Sequence, residues 1–322
     1  MALQTYADPL ERAWYYAYLV ICTLIFIFLI APILVIIPLS FNAEPYFTFT
    51  EKMLTFDPAG YSLRWYDALV STGMQQPEAV SGWWSDMWAN ATWVKAARNS
   101  LIIGFWSTIL ATTLGTLAAL GLSRPEMPYR RLIMALLISP MIVPIIIVAT
   151  GMFFFYSNPC SIIGMQCGRL TSTYTGIVLA HAVLGIPFVI ITVTATLSGF
   201  DQSLIRAAAS LGANPRITFF KVIMPLILPG VISGGLFAFV TSFDEVVAVL
   251  FIAGPDQQTI PRQMWNGIRE SISPAILAVA TILVVLSIAL LTTIEILRRR
   301  SDRLRGVSGF VALSGSLMDS RL

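Results

Sequence analysis

The feature that most constrains this chain is a recurrence of apolar runs about 20 residues long. At 1.5 Å of rise per residue, a helix of that length crosses the roughly 30 Å hydrocarbon layer of a bilayer. Six such runs fall at residues 14–39, 99–122, 132–154, 174–197, 226–252 and 274–297. Only 11% of the 322 residues are charged and the mean hydropathy is +0.78, whereas a soluble domain carries roughly a quarter charged residues. A chain so poor in charge needs an apolar solvent, so the expected fold class is an all-α membrane protein with six transmembrane helices. The first run is longer than a signal-peptide core and no small-residue cleavage pattern follows it, so it reads as a retained span.

The Lys and Arg residues orient these spans. With the N-terminus inside, about thirteen fall in inner segments and about seven in outer ones, and the positive-inside rule then places both termini in the cytoplasm. The expected organisation is a cytoplasmic N-terminus over residues 1–13 and a transmembrane domain over 14–297. A long outer loop spans 40–98, an inner loop spans 198–225, and a basic cytoplasmic tail covers 298–322. That tail reads as an anchor at the anionic leaflet, with no nucleic-acid role. Trp83, Trp84, Trp88 and Trp93 in the outer loop suit either a segment at headgroup level or a small extramembrane cap with its own apolar contacts.

The inner loop is too long for a simple connection, and Leu204–Pro229 reads LIRAAASLGANPRITFFKVIMPLILP. The Ala-rich start favours a helix, Gly212 is a natural C-terminal stop, and Asn214-Pro215 turns the chain into a second helix. Two short helices joined at Gly212 would form a knob, with Pro225 and Pro229 leading into the next span. This segment resembles the cytoplasmic coupling loop of permeases in binding-protein-dependent ABC importers. The pattern there is Glu-Ala-Ala, three residues, Gly, nine residues, Ile, one residue, Leu-Pro. Ala207, Ala208, Gly212 and Pro225 match in spacing, with Ala213 beside the Gly. Arg206 stands where the Glu would be, Val222 replaces Ile, and Met224 replaces Leu. The charge reversal at Arg206 means that an ionic contact of that Glu does not carry over.

The resemblance implies a type I importer fold with a cytoplasmic coupling helix. The implied site residues for coupling to an ATPase are Arg206, Ala207, Ala208, Gly212, Ala213 and Pro225. The implied partners are a second, different permease subunit, a dimer of ATP-binding subunits, a periplasmic solute-binding protein and membrane lipid, at the bacterial inner membrane. No GxxxxGK[ST] phosphate loop occurs, so no cofactor is expected in this chain; ATP and Mg would belong to the partner ATPase. A single His and three Cys argue against a metal site and an embedded enzyme. An ATP-independent secondary transporter or channel is the competing class, and would show inverted repeats or charges spread over several spans.

Asp244 and Glu245 lie within the fifth run. A carboxylate at membrane depth costs a few kcal/mol, so it should face protein or a water-filled path. Adjacent residues sit about 100° apart around a helix, and the two need not share a role. A cation-attracting step on a translocation path and a polar pair bonded to neighbouring helices are both open readings. The strings TSFDEVVAVLFIAGP and TIPRQMWNGIRESISP resemble the polyamine (spermidine/putrescine) subgroup of these permeases. That implies a small cationic solute, with amino acids, opines or other small nitrogenous solutes as the alternative. Cys160 and Cys167 fall in an outer loop, where an oxidising compartment favours a disulfide. His181, alone in the fourth run, reads as a hydrogen-bonded packing residue. The prolines Pro140, Pro144 and Pro187 mark kinks or hinges.

Overall fold

The computed structural model describes residues 8–304 except 79–81, 125, 159, 163–164, 200, 202 and 271–272, and gives no side-chain description for 160–167, 270, 290–291 and 293–304. The expected cytoplasmic N-terminus and basic tail therefore lie largely outside the described residues. The chain divides into two units: Met1–Leu69 with Ser273–Leu322, and Val70–Ile272.

The first unit opens with α1 (Pro9–Leu39), whose apolar residues are exposed along almost its whole length. It continues through α2 (Glu51–Leu54), a 3-10 turn at Pro58–Gly60, and most of α3 (Arg64–Ser71). The segment after α1 has its own small core. Buried Asn42 donates from Nδ2 to the Tyr46 and Thr48 carbonyls, and Trp65 Nε1 donates to the Asn42 carbonyl at 2.7 Å. The Ser40 hydroxyl meets Tyr66 Oη at 2.7 Å, and the Arg64 guanidinium lies 4.3 Å from the Trp65 ring centroid. Residues 40–66 are thus tied together by contacts of their own. The same unit ends in α14 (Ala275–Leu304).

The second unit holds α4 (Trp83–Asn90), α5 (Thr92–Leu122), α6 (Arg130–Ile142) and α7 (Ile145–Ser157). A hairpin of β1 (Cys160–Ile162) and β2 (Met165–Cys167) leads to α8 (Tyr174–Ser198), α9 (Ser203–Ser210) and α10 (Pro215–Thr218). A π-helical turn at Phe219–Ile223 joins α10 to α11 (Met224–Asp244), followed by α12 (Val247–Ile252) and α13 (Ile260–Glu270). Its core is the packing of α5, α8 and α11, with Ala111, Ala119, Ala182, Val189, Val193, Ile227 and Ala238 buried together. Small residues set how close these helices come, as in membrane bundles generally, where close packing replaces the hydrophobic effect between helices. A Cβ on Gly115 would sit 2.7 Å from Val189 Cβ, and one on Gly234 would strike Thr192 and Val189.

Two expected spans are not single straight helices. The third is a bent pair, α6 and α7, meeting at 102°. Pro144 explains the site of the bend: it cannot donate to the preceding turn and it pushes Val143 into extended backbone, ψ 137°. The fifth begins earlier and ends earlier than its apolar run. It is one apolar helix over Pro215–Asp244, so the second half of the inner loop is the start of the span rather than a separate short helix. Among the described residues four single helices are long and apolar enough to cross a membrane, five if the bent pair is counted as one span, and the apolar part of α14 is described over Ala275–Ala289.

Candidate functional site

The coupling-loop residues behave locally as their sequence dictates. Asp201 accepts from the Ser203 N–H and hydroxyl, starting α9, and Ser203 with nearby Arg206 holds the Asp201 carboxyl below the usual carboxylate range. The helix ends where Gly212 takes φ +78° and donates to the Ala209 carbonyl, while Ala213 N–H bonds the Ala208 carbonyl. An αL glycine closing a helix with such back-bonds is the expected stop. Asn214 Oδ1 then caps the next helix at Ile217 N, 2.8 Å away. Ala208 packs inward, whereas Arg206, Ala207 and Gly212 are exposed and Leu211 is 88% exposed. The result is an exposed turn with the apolar Leu211 at its tip. Pro225 lies on the helix that follows, away from this turn in sequence.

At the other end of that helix the acidic pair is split by a break in the backbone. Asp244 is the last residue of α11 and is exposed; Glu245 has ψ 120°, leaves the helix, and is 8% exposed. Asp244 continues the exposed face of α11 formed by Leu236, Phe237 and Val240. No hydrogen bond or ion pair among the described residues holds it. Glu245 Oε1 instead accepts from Ala248 N at 2.9 Å, capping the first turn of α12. A charged residue closes the other end too: Arg262 Nη1 donates to the Val249 and Ala253 carbonyls at 3.1 and 2.8 Å. An acceptor at the N-terminus and donors at the C-terminus satisfy the backbone groups that the ends of α12 leave free. The expectation of two carboxylates 100° apart on one continuous helix is corrected accordingly.

The elements after α12 are tied to α5 and α8. Asn99 Nδ2 donates to the Asp256 and Gln258 carbonyls, Tyr174 Oη donates to Asn99 Oδ1, and Ile260 N donates to Ser100 Oγ. Behind Asp244, Ser242 Oγ lies 2.7 Å from His181 Nδ1 and 2.9 Å from Ser107 Oγ, joining α11, α8 and α5. His181 is thus hydrogen-bonded inside the packing, as its sequence context suggested, and Nε2 has no partner among the described residues. Arg262, Asn99, Ser107 and Ser242 were not legible as site residues. The cross-helix partners of Asn99, Ser107 and Ser242 lie 61 to 159 residues away and those of Arg262 lie 9 and 13 away, so the only signal was the polar type itself inside or beside an apolar run. The backbone register sets Cys160 opposite Cys167, but their expected disulfide falls on side chains outside the described residues. Among the described residues no cluster of His, Cys, Asp and Glu suited to a metal occurs.

The packed core of α5, α8 and α11, the exposed turn at Gly212 and the broken fifth span are the framework of a membrane-spanning subunit. Residues 111–304 match the family described as binding-protein-dependent transport system inner membrane component, and the chain belongs to that family. It is 30% identical over 270 residues to the putrescine transport system permease protein PotI of Escherichia coli, covering 82% of this chain and 84% of PotI. It is 28% identical over 278 residues to the spermidine/putrescine transport system permease protein PotC of Haemophilus influenzae, covering 86% of this chain and 95% of PotC. A bacterial ABC transporter that imports the polysaccharide alginate shares its fold at a TM-score of 0.62 and 15% identity, covering 92% of this chain and 99% of that one. The protein is an integral inner-membrane permease subunit with the fold of ABC importers.

Proposed function

We propose that this chain forms half of a translocation path for a polyamine such as putrescine or spermidine, paired with a second permease subunit and driven by a separate ATPase dimer that binds ATP and Mg. A periplasmic binding protein delivers the solute, and both termini of the chain lie in the cytoplasm. The relatives named for putrescine and spermidine/putrescine transport support the substrate class. The observation that carries a cationic substrate within this chain is the split acidic pair. Glu245 is spent on capping α12, whereas Asp244 stands exposed and unpaired at the end of an apolar helix face. An ammonium group passing that point gains a charge-assisted hydrogen bond, and its departure leaves no buried ion pair behind.

The exposed turn around Arg206–Ala213 is the part that receives the ATPase. Its exposed Ala207 and Gly212 allow close approach, and Leu211 supplies an apolar anchor. The exposed Arg206 reverses the charge of the family's Glu, so the partner groove needs an acidic or neutral counterpart here.

The test is ATP-dependent uptake into proteoliposomes holding the full complex and its binding protein. Labelled putrescine and spermidine are offered beside a zwitterionic amino acid. Asp244→Asn is expected to lower polyamine uptake at least tenfold while the complex still assembles, and Glu245→Gln, which keeps the capping oxygen, to retain most of it. Uptake of the zwitterion alone, or normal polyamine uptake by Asp244→Asn, would overturn the substrate assignment and leave the importer class standing.

A further inference from the structure

Helix α4 carries a pair of large exposed aromatics that the transport cycle does not explain. Trp84 is 70% and Trp88 is 52% exposed, and a spacing of four puts them on one face of the helix. Trp83 packs edge-on against Trp84, with ring centroids 5.0 Å apart. The opposite side is fixed to the protein. Met87 is buried, and the Asp86 carboxylate accepts from Asn90 Nδ2 at 2.6 Å and from the backbone N–H groups of Gln76 and Gln75. These bonds hold the Asp86 carboxyl below its usual range, and those from Gln75 and Gln76 tie that side of α4 to the preceding backbone.

The level of α4 relative to a bilayer follows from α5. With 31 residues, α5 is about 46 Å long, close to the roughly 40–45 Å of a bilayer including its headgroups. Its exposed apolar surface starts at Leu101, so the stretch Thr92–Ser100 occupies the headgroup layer at that end. Lys95 and Arg98 lie in that stretch. Arg98 Nη1 donates to the Trp88 carbonyl at 3.2 Å, which folds α4 back beside the start of α5, at the same level. Amphipathic indole rings favour that layer.

We propose that α4 is a membrane-surface anchor whose Trp84–Trp88 face rests in the phospholipid headgroups at the Thr92 end of α5. The anchor fixes the height and tilt of the span that packs against α8 and α11. This inference stands on α4 and α5 alone and is independent of the substrate.

The test places the full complex in vesicles of phosphatidylethanolamine and phosphatidylglycerol that carry a nitroxide either at the headgroup or at mid-chain. Tryptophan emission of the wild type is compared with that of a Trp84→Phe/Trp88→Phe variant, which keeps apolar bulk and removes two indoles. The headgroup-quenched emission should fall by the share of two tryptophans, the mid-chain-quenched emission should stay the same, and acrylamide in the water should quench little of the lost signal. Headgroup quenching unchanged in the variant would overturn the anchor. So would a lost signal quenched mainly by acrylamide, or one shielded only when the soluble binding protein is added, which would mark α4 as a protein-docking face.

Discussion

The helix that forms most of the fifth span has two ends that obey opposite rules. Toward its start it carries Pro225 and Pro229 and yet runs on from Pro215 to Asp244. At its far end no proline or glycine occurs between Gly235 and Gly254, yet the helix stops at Asp244. At the first end, the π-helical turn at Phe219–Ile223 widens the backbone just before Pro225, giving the ring space and absorbing the donor it lacks. At the second end, side chains and backbone from elsewhere take over the helix's own bonds: Glu245 at Ala248, Arg262 at Val249 and Ala253, and Ser172 N at the Ile252 carbonyl. A break inside a membrane is therefore a matter of who satisfies the freed backbone groups, and only secondarily of which residue breaks the helix.

The largest expected effect lies just before the first end. Proline at 212 cannot take φ +78° and has no N–H for the Ala209 carbonyl. Gly212→Pro should abolish ATP-driven uptake with membrane insertion and abundance preserved, measured on the reconstituted complex. Normal uptake would show that the exposed turn does not transmit the ATPase cycle.

At the far end, Arg262→Met removes a charged donor shared by two carbonyls and should destabilise α12 by about 1.5–3 kcal/mol. The readout is faster hydrogen exchange at Leu250 and Ala253, whose amides bond the Val246 and Val249 carbonyls, with exchange in the middle of α11 unchanged. Equal acceleration along α11 would mean that the break is not an independent unit. Glu245→Ala removes only the cap and should cost about 1 kcal/mol, seen in the same amides; Glu245→Gln should cost less because it keeps the accepting oxygen.

These contrasts also explain what the sequence made legible. The stop at Gly212 and the restart at Asn214-Pro215 were readable because cap and turn chemistry is local, with every partner within five residues. The Pro144 bend was readable as a site, but its 102° angle was not, because tertiary packing decides how far a proline break opens. The Glu245 break was invisible. A run such as FVTSFDEVVAVLFIAG has the hydropathy of a continuous span, and besides the Glu245 cap the bonds that interrupt it come from Arg262 and Ser172, outside the run. The acidic pair was flagged as a site by residue type alone; its division into one exposed and one capping carboxylate needed the backbone.

The smallest expected effect is the sharpest test of the contrast. If the π turn already absorbs Pro225, then alanine there restores an N–H with no free carbonyl waiting for it, and the helix gains little. Pro225→Ala should change the thermal midpoint of the complex by no more than about 0.5 kcal/mol equivalent and leave uptake near wild type. A gain approaching the roughly 3 kcal/mol that proline costs inside an ordinary helix would show that the turn does not compensate. The joint between the Gly212 turn and the span would then be strained at Pro225, storing energy rather than merely tolerating the ring.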